Sequence, residues 1–136
     1  MRAIFPAFCL LALSCPAPAF SQECDPSDES QMGMNICADA AYQAEDAKLN
    51  KAYGEIVKRL SDDADGKKLL QTAQRAWIAF RDSECAFSAE DSEGGSIYPM
   101  LVSECLAQLT ADRTRQLNGY LDCQEGDLSC PASSAE

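Results

Sequence analysis

The sequence contains no histidine and only one tryptophan, and aromatic residues make up 7% of its 136 residues. Without histidine, the usual group that activates a catalytic cysteine or serine is missing, and so is a common nitrogen ligand of zinc. The cysteines are scattered and form no Cys-x-x-Cys pair, which also disfavours a zinc site. We therefore expect no metal, no cofactor and no enzymatic activity.

Long apolar runs are missing too, apart from a short one at the start. Arg2 precedes the apolar segment 4–13, and mostly small residues follow it up to Ser21. This pattern predicts a signal peptide over residues 1–21. A less favoured alternative is a lipoprotein signal, with Cys15 as the anchored residue. The mature chain is therefore expected to be exported, periplasmic or secreted, with no membrane span.

Apolar residues recur at intervals of three and four along the mature chain, which is typical of amphipathic helices. The first helix is expected to begin near Ser30 and to stop in the polar turn 61–66. Asp63 or Asp65 is expected to cap the second helix, where a carboxylate also suits the helix dipole. The predicted buried face of this second helix consists of Leu69, Leu70, Ala73, Ala76, Trp77, Phe80 and Phe87.

A break with paired glycines, at residues 88–96, separates the second helix from the third. We expect Ser96 to be the N-cap of the third helix, Pro99 to lie in its first turn, and the helix to end near Gly119. Residues 124–136 are predicted to form a short, partly disordered tail. Three helices joined by short loops predict an all-α fold, a small antiparallel three-helix bundle held by disulfides.

Six of the eight cysteines lie beyond the predicted signal peptide, and an even number in a small exported chain predicts three disulfides. The six are Cys24, Cys37, Cys85, Cys105, Cys123 and Cys130. Antiparallel packing would gather the first four at one end of the helical domain, predicted over residues 22–123, and their pairing stays open. Cys123 and Cys130 are close enough in sequence to close a local loop in the tail.

The net charge is −11, and loss of Arg2 with the signal peptide changes it to −12. Such a charge repels nucleic acid and anionic lipid headgroups. It attracts a basic protein and accelerates its association. We therefore expect a protein partner and no nucleic acid, although solubility alone is an alternative explanation of the charge.

Several residues of the second helix are expected to have structural roles. Trp77 is predicted to pack in the core with Phe80, and Gln74 to hydrogen-bond a neighbouring helix or loop. Arg81 and Asp82 are predicted to form a buried or half-buried pair that fixes the helix ends. The functional alternatives are a sugar-stacking platform at Trp77 and a binding hot spot at Arg81.

The connection 88–99 is the predicted site of partner contact, because loops on a rigid frame often carry function. Its candidate contact residues are Glu90, Asp91, Glu93, Ser96 and Tyr98. The carboxylates suit a basic partner, and an ordinary solvated connector is the alternative. Glycoside hydrolysis needs two carboxylates across a cleft, which a narrow bundle does not offer, so we assign no catalytic residue.

Five segments, taken in order, carry a resemblance to a known family. They are Met34–Ala38, Leu49–Tyr53, Ala73–Cys85, Gly94–Pro99 and Cys105–Arg113. The run Gln-x-x-Trp-x-x-Phe-Arg-Asp-x-x-Cys, followed by Gly-Gly-Ser, is the most specific part. From about Cys24 to Leu121 the chain resembles the N-terminal domain family of the LprI-type lysozyme inhibitors, which are bacterial exported proteins.

The resemblance implies a helical, disulfide-bonded domain that binds lysozyme and blocks cell-wall hydrolysis, here by occluding the active-site cleft of a basic lysozyme. The main alternative is an envelope-associated structural or interaction domain without lysozyme activity, and a small hydrolase is a weaker one. The family supplies no inhibitory motif for particular positions of this sequence. The pair Cys123 and Cys130 departs from the usual four-cysteine pattern of the family.

Overall fold

The computed structural model describes residues 23–124 and 126–132, so the predicted signal peptide and the lipidation alternative at Cys15 lie outside the described residues. The chain folds into three α-helices, with a short 3₁₀ helix between the second and the third. They are α1 (Gln31–Arg59), α2 (Ala64–Ser88), the 3₁₀ helix Glu90–Ser92 and α3 (Tyr98–Leu121). The described part of the chain contains no strand. The prediction of an all-α, three-helix fold is confirmed.

Side-chain caps determine where the first two helices begin. The Ser30 Oγ accepts a hydrogen bond from the Gly33 amide at 3.1 Å, and the Asp63 Oδ1 accepts one from the Gly66 amide at 2.8 Å. Each bond satisfies an amide that has no partner inside its helix. The predicted starts of both helices are confirmed.

The third helix begins one residue later than predicted. Its N-cap position is Ile97, which makes no capping side-chain hydrogen bond, so the prediction of Ser96 as N-cap is wrong. The physical reason is that residues 95–98 form a hydrogen-bonded turn. The carbonyl oxygen of Ser96 accepts a bond from the Asn35 Nδ2 at 3.0 Å. Pro99 lies in the first turn of the helix, as predicted.

The helices α1 and α3 lie side by side and run in the same direction, and α2 runs in the opposite direction beside α3. At one end the Gln31 Nε2 lies 3.9 Å from the Met100 Sδ, and at the other the Arg59 Nη1 donates a hydrogen bond of 2.7 Å to the Leu121 carbonyl oxygen. The α1–α3 contact is the most extensive in the bundle, and α2 packs closer to α3 than to α1.

The hydrophobic core lies at the end of the bundle where α1 and α3 finish. Its buried members are Leu49, Ala52, Ile56, Leu60, Leu117 and Ala132. Ala132 comes after α3, and its carbonyl oxygen accepts a hydrogen bond from the Arg59 Nη1 at 3.2 Å. The chain therefore folds back over this end after α3. The partial disorder predicted for the tail 124–136 stays a prediction, and residues 125 and 133–136 of this tail lie outside the described residues.

Most of the predicted buried face of α2 is exposed instead. The prediction is wrong for Leu69, Ala73, Ala76, Phe80 and Phe87. Leu70 and Trp77 do pack against the core. The buried residues of α2 are Gln74, Arg81 and Cys85. The face of α2 that is turned inwards is therefore narrow and largely polar. The most apolar face of the helix is exposed.

Three disulfides join the six cysteines. Cys24 bonds to Cys37, Cys85 to Cys105, and Cys123 to Cys130. The first two lie at the end of the bundle opposite the core. Cys24–Cys37 joins the segment before α1 to that helix, and Cys85–Cys105 joins α2 to α3. No helix of the described residues is long and apolar enough to cross a bilayer.

Candidate partner-binding site

We define the acidic loop as residues 88–99, which connect α2 to α3. It begins with the 3₁₀ helix Glu90–Ser92 and turns sharply at Gly94, whose φ of 78° favours glycine. The amide of Gly95 then bonds to the Ser92 carbonyl oxygen at 2.9 Å. The loop is therefore a succession of hydrogen-bonded turns, and the paired glycines serve this backbone path.

Both ends of the acidic loop are attached to the bundle. The Cys85–Cys105 disulfide joins the helices on its two sides with a Cα–Cα distance of 5.5 Å, and Cys85 is fully buried. The Ala89 side chain is also buried, and the hydrogen bond from Asn35 ties Ser96 to α1. A loop held in this way loses little conformational freedom when it binds a partner.

The loop presents its carboxylates to solvent. Glu90, Asp91, Glu93 and Ser96 are exposed, whereas Tyr98 is half-buried. In the described part of the chain, no lysine or arginine forms an ion pair with any of the three carboxylates. Four of the five candidate residues are thus exposed, and the loop carries three negative charges without an ion-pair partner in the described residues.

Apolar side chains flank these carboxylates. Phe87 precedes the loop and is 74% exposed, and Ile97 near its end is 38% exposed. A surface that combines carboxylates with exposed aromatic and aliphatic groups is suited to contact with a protein. In the residues the structure describes, no group of three or more histidine, cysteine or acidic side chains is placed to hold a metal ion.

Arg81 contacts residues of all three helices. Its guanidinium donates to Asp82 Oδ1 at 2.9 Å and to Thr110 Oγ1 on α3 at 3.4 Å, and it lies 3.8 Å from Asp46 Oδ1 on α1. Asp82 is its neighbour on the same helix, so the links between helices are made by Asp46 and Thr110. Arg81 is 7% exposed. This burial fits a structural role better than a contact surface.

The ring of Trp77 is half-buried and lies beneath the same guanidinium, with 5.1 Å from the Arg81 Cζ to the ring centroid. A ring covered by an intramolecular cation offers little free surface for stacking on a sugar. Phe80, which was predicted to pack in the core with Trp77, is 54% exposed.

A second polar contact joins α2 to α3. The Gln74 Oε1 accepts a hydrogen bond of 3.1 Å from the Arg113 Nε, and the Arg113 Nη1 donates to the Gln116 Oε1 at 2.5 Å. Desolvation lowers the pKa of Arg113 from its ordinary value. The burial of Arg113 and of its neighbours Thr110 and Thr114 was not predicted from the sequence. Their only sequence signal is polar residues at helical spacing ahead of Leu117.

Beside Arg113 an open pocket of about 520 Å³ lies between the three helices and the tail. Leu69, Leu70 and Tyr120 contribute to its walls. It is near the core end of the bundle, away from the acidic loop, so it is not part of the predicted contact site.

The family model described as "Lysozyme inhibitor LprI" matches residues 22–117. The chain belongs to the LprI family. This is a family of inhibitors rather than of enzymes, and together with the three disulfides it fits an exported protein. The resemblance seen in the five sequence segments is thereby confirmed.

Two relatives extend the comparison. The LprI-family chain is 45% identical over 139 residues to the uncharacterized protein R02472 of Rhizobium meliloti strain 1021, across 92% of this chain and 99% of that protein. It is 37% identical over 106 residues to the uncharacterized protein YecT of Escherichia coli K12, across 68% of this chain and 65% of YecT. Neither name states an activity.

A solved structure shares the fold. The crystal structure of a DUF1311 family protein from Pseudomonas putida KT2440 superposes with a TM-score of 0.61 at 24% identity. The match covers 67% of this chain and 93% of that one. It supports the helical architecture of the LprI-family domain.

Proposed function

We propose that this protein inhibits lysozyme outside the cytoplasm, in the periplasm or after secretion, and that the acidic loop occludes the active-site cleft of a basic lysozyme. The observation that carries the proposal is the acidic loop itself, an anchored connection with three exposed carboxylates, on a chain of the LprI family. Glu90, Asp91 and Glu93 would meet basic groups around the cleft, and Ser96 and Tyr98 would make shorter contacts.

Electrostatics supports a basic partner. The whole chain carries a net charge of −11, and the carboxylates of the loop add a local concentration of charge at one end. Complementary charge accelerates encounter and sets orientation more than it adds raw affinity. The affinity would come from desolvated contacts, for which Ile97 is placed beside the carboxylates.

Attachment of the loop supports occlusion rather than a flexible association. The Cys85–Cys105 disulfide and the bond from Asn35 to Ser96 hold both ends, so binding would need little reordering. The carboxylates follow one another on one exposed loop and line no described pocket, an arrangement that does not suit a pair of glycosidase acids. We therefore propose binding without turnover.

The direct test is a cell-wall lysis assay with purified mature protein and several lysozymes. Glu90, Asp91 and Glu93 are changed together to Lys, and inhibition by a basic lysozyme is expected to weaken at least about tenfold, because attraction becomes repulsion. Asp62, Asp65 and Asp122 changed to Lys are the matched control. They are exposed and lie at the opposite end, so the same change of net charge should have a much smaller effect.

Three outcomes separate the alternatives. If the native protein leaves every lysozyme active, an envelope-associated interaction domain becomes the better hypothesis. If inhibition occurs but both triple variants retain it, the acidic loop is not the contact surface. Degradation of peptidoglycan by the protein alone would favour a hydrolase. Raising the salt concentration should weaken inhibition, because exposed charges are screened.

A further inference from the structure

The exposed apolar side of α2 forms one straight line. We call it the outer stripe; it consists of Leu69, Ala73, Ala76, Phe80, Ser83 and Phe87, all of them exposed. Their spacing alternates between four and three residues, the repeat of a coiled-coil seam. At 100° per residue the six positions lie within about 40° of a single line along the helix.

Exposure of the apolar side chains of the outer stripe to water is unfavourable in free energy. Leu69, Phe80 and Phe87 are 72%, 54% and 74% exposed, and the described residues do not cover them. Continuous apolar surface of this kind marks an interaction site in an exported protein. Ser83 does not interrupt the seam, because its hydroxyl donates to the Ala79 carbonyl oxygen at 2.8 Å and needs no further partner.

The sizes of the side chains favour pairing of the stripe with itself in reverse. Laid antiparallel on a second copy, Phe80 comes opposite Ala76 and Ala73 comes opposite Ser83. Leu69 then meets Phe87 at both ends. Each large side chain near the centre therefore faces a small one, as packing of knobs into holes requires. A parallel alignment would instead set alanine against alanine and leave gaps.

Charge supports the same direction. Lys68 and Arg75 flank the first half of the stripe, and Asp82 lies on the same flank in the second half. Antiparallel pairing brings Arg75 beside Asp82 of the second copy, twice by symmetry. The intervening flank positions are Thr72, Ala79 and Ala86, which are small enough to let the two helices approach closely.

We propose that the outer stripe is a dimer interface, in which α2 packs antiparallel against α2 of a second copy of this chain. The two stripes with their small flanking residues would bury about 1,000 Å² in total, the lower limit for a specific interface. The dimer is consequently expected to be reversible, with dissociation in the micromolar range. The inference is independent of lysozyme binding.

The test is sedimentation equilibrium of the full mature, oxidised protein over about 1 μM to 1 mM. The native protein should shift from monomer to dimer across this range. Phe80→Glu should weaken the dimer at least about thirtyfold, because it buries a charge without a partner. Met32→Glu is the matched control: Met32 is 66% exposed on α1, away from the stripe, and its replacement should leave the dimer unchanged.

A second variant tests direction. Arg75→Glu places a carboxylate beside Asp82 of the second copy in the antiparallel dimer, and should weaken it about fivefold or more. In a parallel dimer Arg75 would face Arg75, so the same change would exchange one like-charged pair for another. Circular dichroism should show the native helix content for every variant, since the replaced side chains are exposed.

Three results would overturn the proposal. If the native protein stays monomeric at about 1 mM, the dimer does not form. Loss of lysozyme inhibition in Phe80→Glu would then assign the outer stripe to lysozyme contact. A dimer that survives Phe80→Glu uses another surface. A dimer that is weakened by Phe80→Glu and indifferent to Arg75→Glu is not antiparallel.

Discussion

The guanidinium of Arg81 lies over the indole of Trp77, with 5.1 Å from the Cζ to the ring centroid, although both side chains belong to the same helix. The same guanidinium lies 5.5 Å from the ring centroid of Tyr42 on α1 and also contacts Thr110 on α3. One cation thus takes the place that a large aliphatic side chain would fill in an apolar bundle. Its planar group satisfies contacts with all three helices at once.

Replacement of Arg81 should therefore destabilise the fold. We expect Arg81→Ala to lower the free energy of unfolding by about 2 kcal/mol or more, through lost cation–π contacts and hydrogen bonds. Arg81→Lys should recover only part of the loss, since an ammonium lacks the planar fork. Urea unfolding at low protein concentration measures both. Arg75→Ala, an exposed arginine on the same helix, should change stability by no more than about 0.5 kcal/mol.

Truncation of apolar side chains should distinguish the core from the outer stripe. Leu117 is fully buried, and Leu117→Ala should cost about 2–5 kcal/mol because it removes packing and leaves a cavity. Phe80→Ala removes a larger side chain that is 54% exposed, and should cost about 1 kcal/mol or less in the monomer. The same unfolding experiment compares them. A larger loss for Phe80 would contradict the exposed position of the stripe.

The disulfides should contribute unequally to the free energy of unfolding. Cys85–Cys105 spans 20 residues and Cys123–Cys130 spans 7, so the chain-entropy model assigns them about 3.3 and 2.4 kcal/mol. Paired replacement by Ala at Cys85 and Cys105 should be the more damaging, because Cys85 is also fully buried. Thermal unfolding of the two double variants, each with its remaining bridges verified by mass spectrometry, tests this order. A reversed order would contradict it.

Stability should decrease in acid. Hydrogen bonds from Ser27, Ser30 and Ser129 lower the pKa of Asp25, Asp28 and Asp127 below the ordinary value of 3.8. Groups with a lowered folded pKa contribute stability above the unfolded pKa and lose it as pH falls through the folded value. Urea midpoints should therefore be constant above about pH 5 and fall below about pH 4.

A paired substitution tests the source of this dependence. Asp28→Asn with Asp127→Asn should reduce the slope of stability against pH in the acid range, since two of the contributing carboxylates are removed. Asp39→Asn is the control, because Asp39 is exposed and its side chain makes no hydrogen bond within the described residues. Stability that rises as pH falls from 5 to 3, both values being approximate, would show that other groups dominate.

The three helices could be predicted because their spacing and caps are local properties. Ser30 and Asp63 each accept a bond from an amide three residues ahead, which a sequence pattern can reveal. The start of α3 could not be predicted in the same way. The backbone of Ser96 is held by Asn35, 61 residues earlier, and that contact exists only in the folded bundle.

The orientation of α2 could not be predicted from the sequence for a related reason. Its apolar residues form a good stripe, so the most apolar face was expected to be buried. The inward face contains Gln74 and Arg81, and burial of such residues is tolerable only because Arg113 and Thr110 on α3 supply partners. The pairing of the first four cysteines could not be predicted either, because all four meet at one end of the bundle and their sequence spacing does not select partners.

The assignment of partner contact to the acidic loop stays a prediction. Its candidate residues lie close together in sequence, between two helices that the Cys85–Cys105 disulfide joins. Their exposure, and the half-buried position of Tyr98, depend on the path of the chain around Gly94.

A disulfide cross-links the helix α2 to its neighbour only near one end, through Cys85. Its other end is held by the short turn from α1 and by non-covalent packing, and its contact with the α1–α3 pair is the smaller one in the bundle. Amide protons in the first turns of α2 should accordingly exchange with solvent deuterium sooner than those of α1 and α3. Local opening of the domain would then start at the core end of α2, whereas the end that carries the disulfide would stay closed.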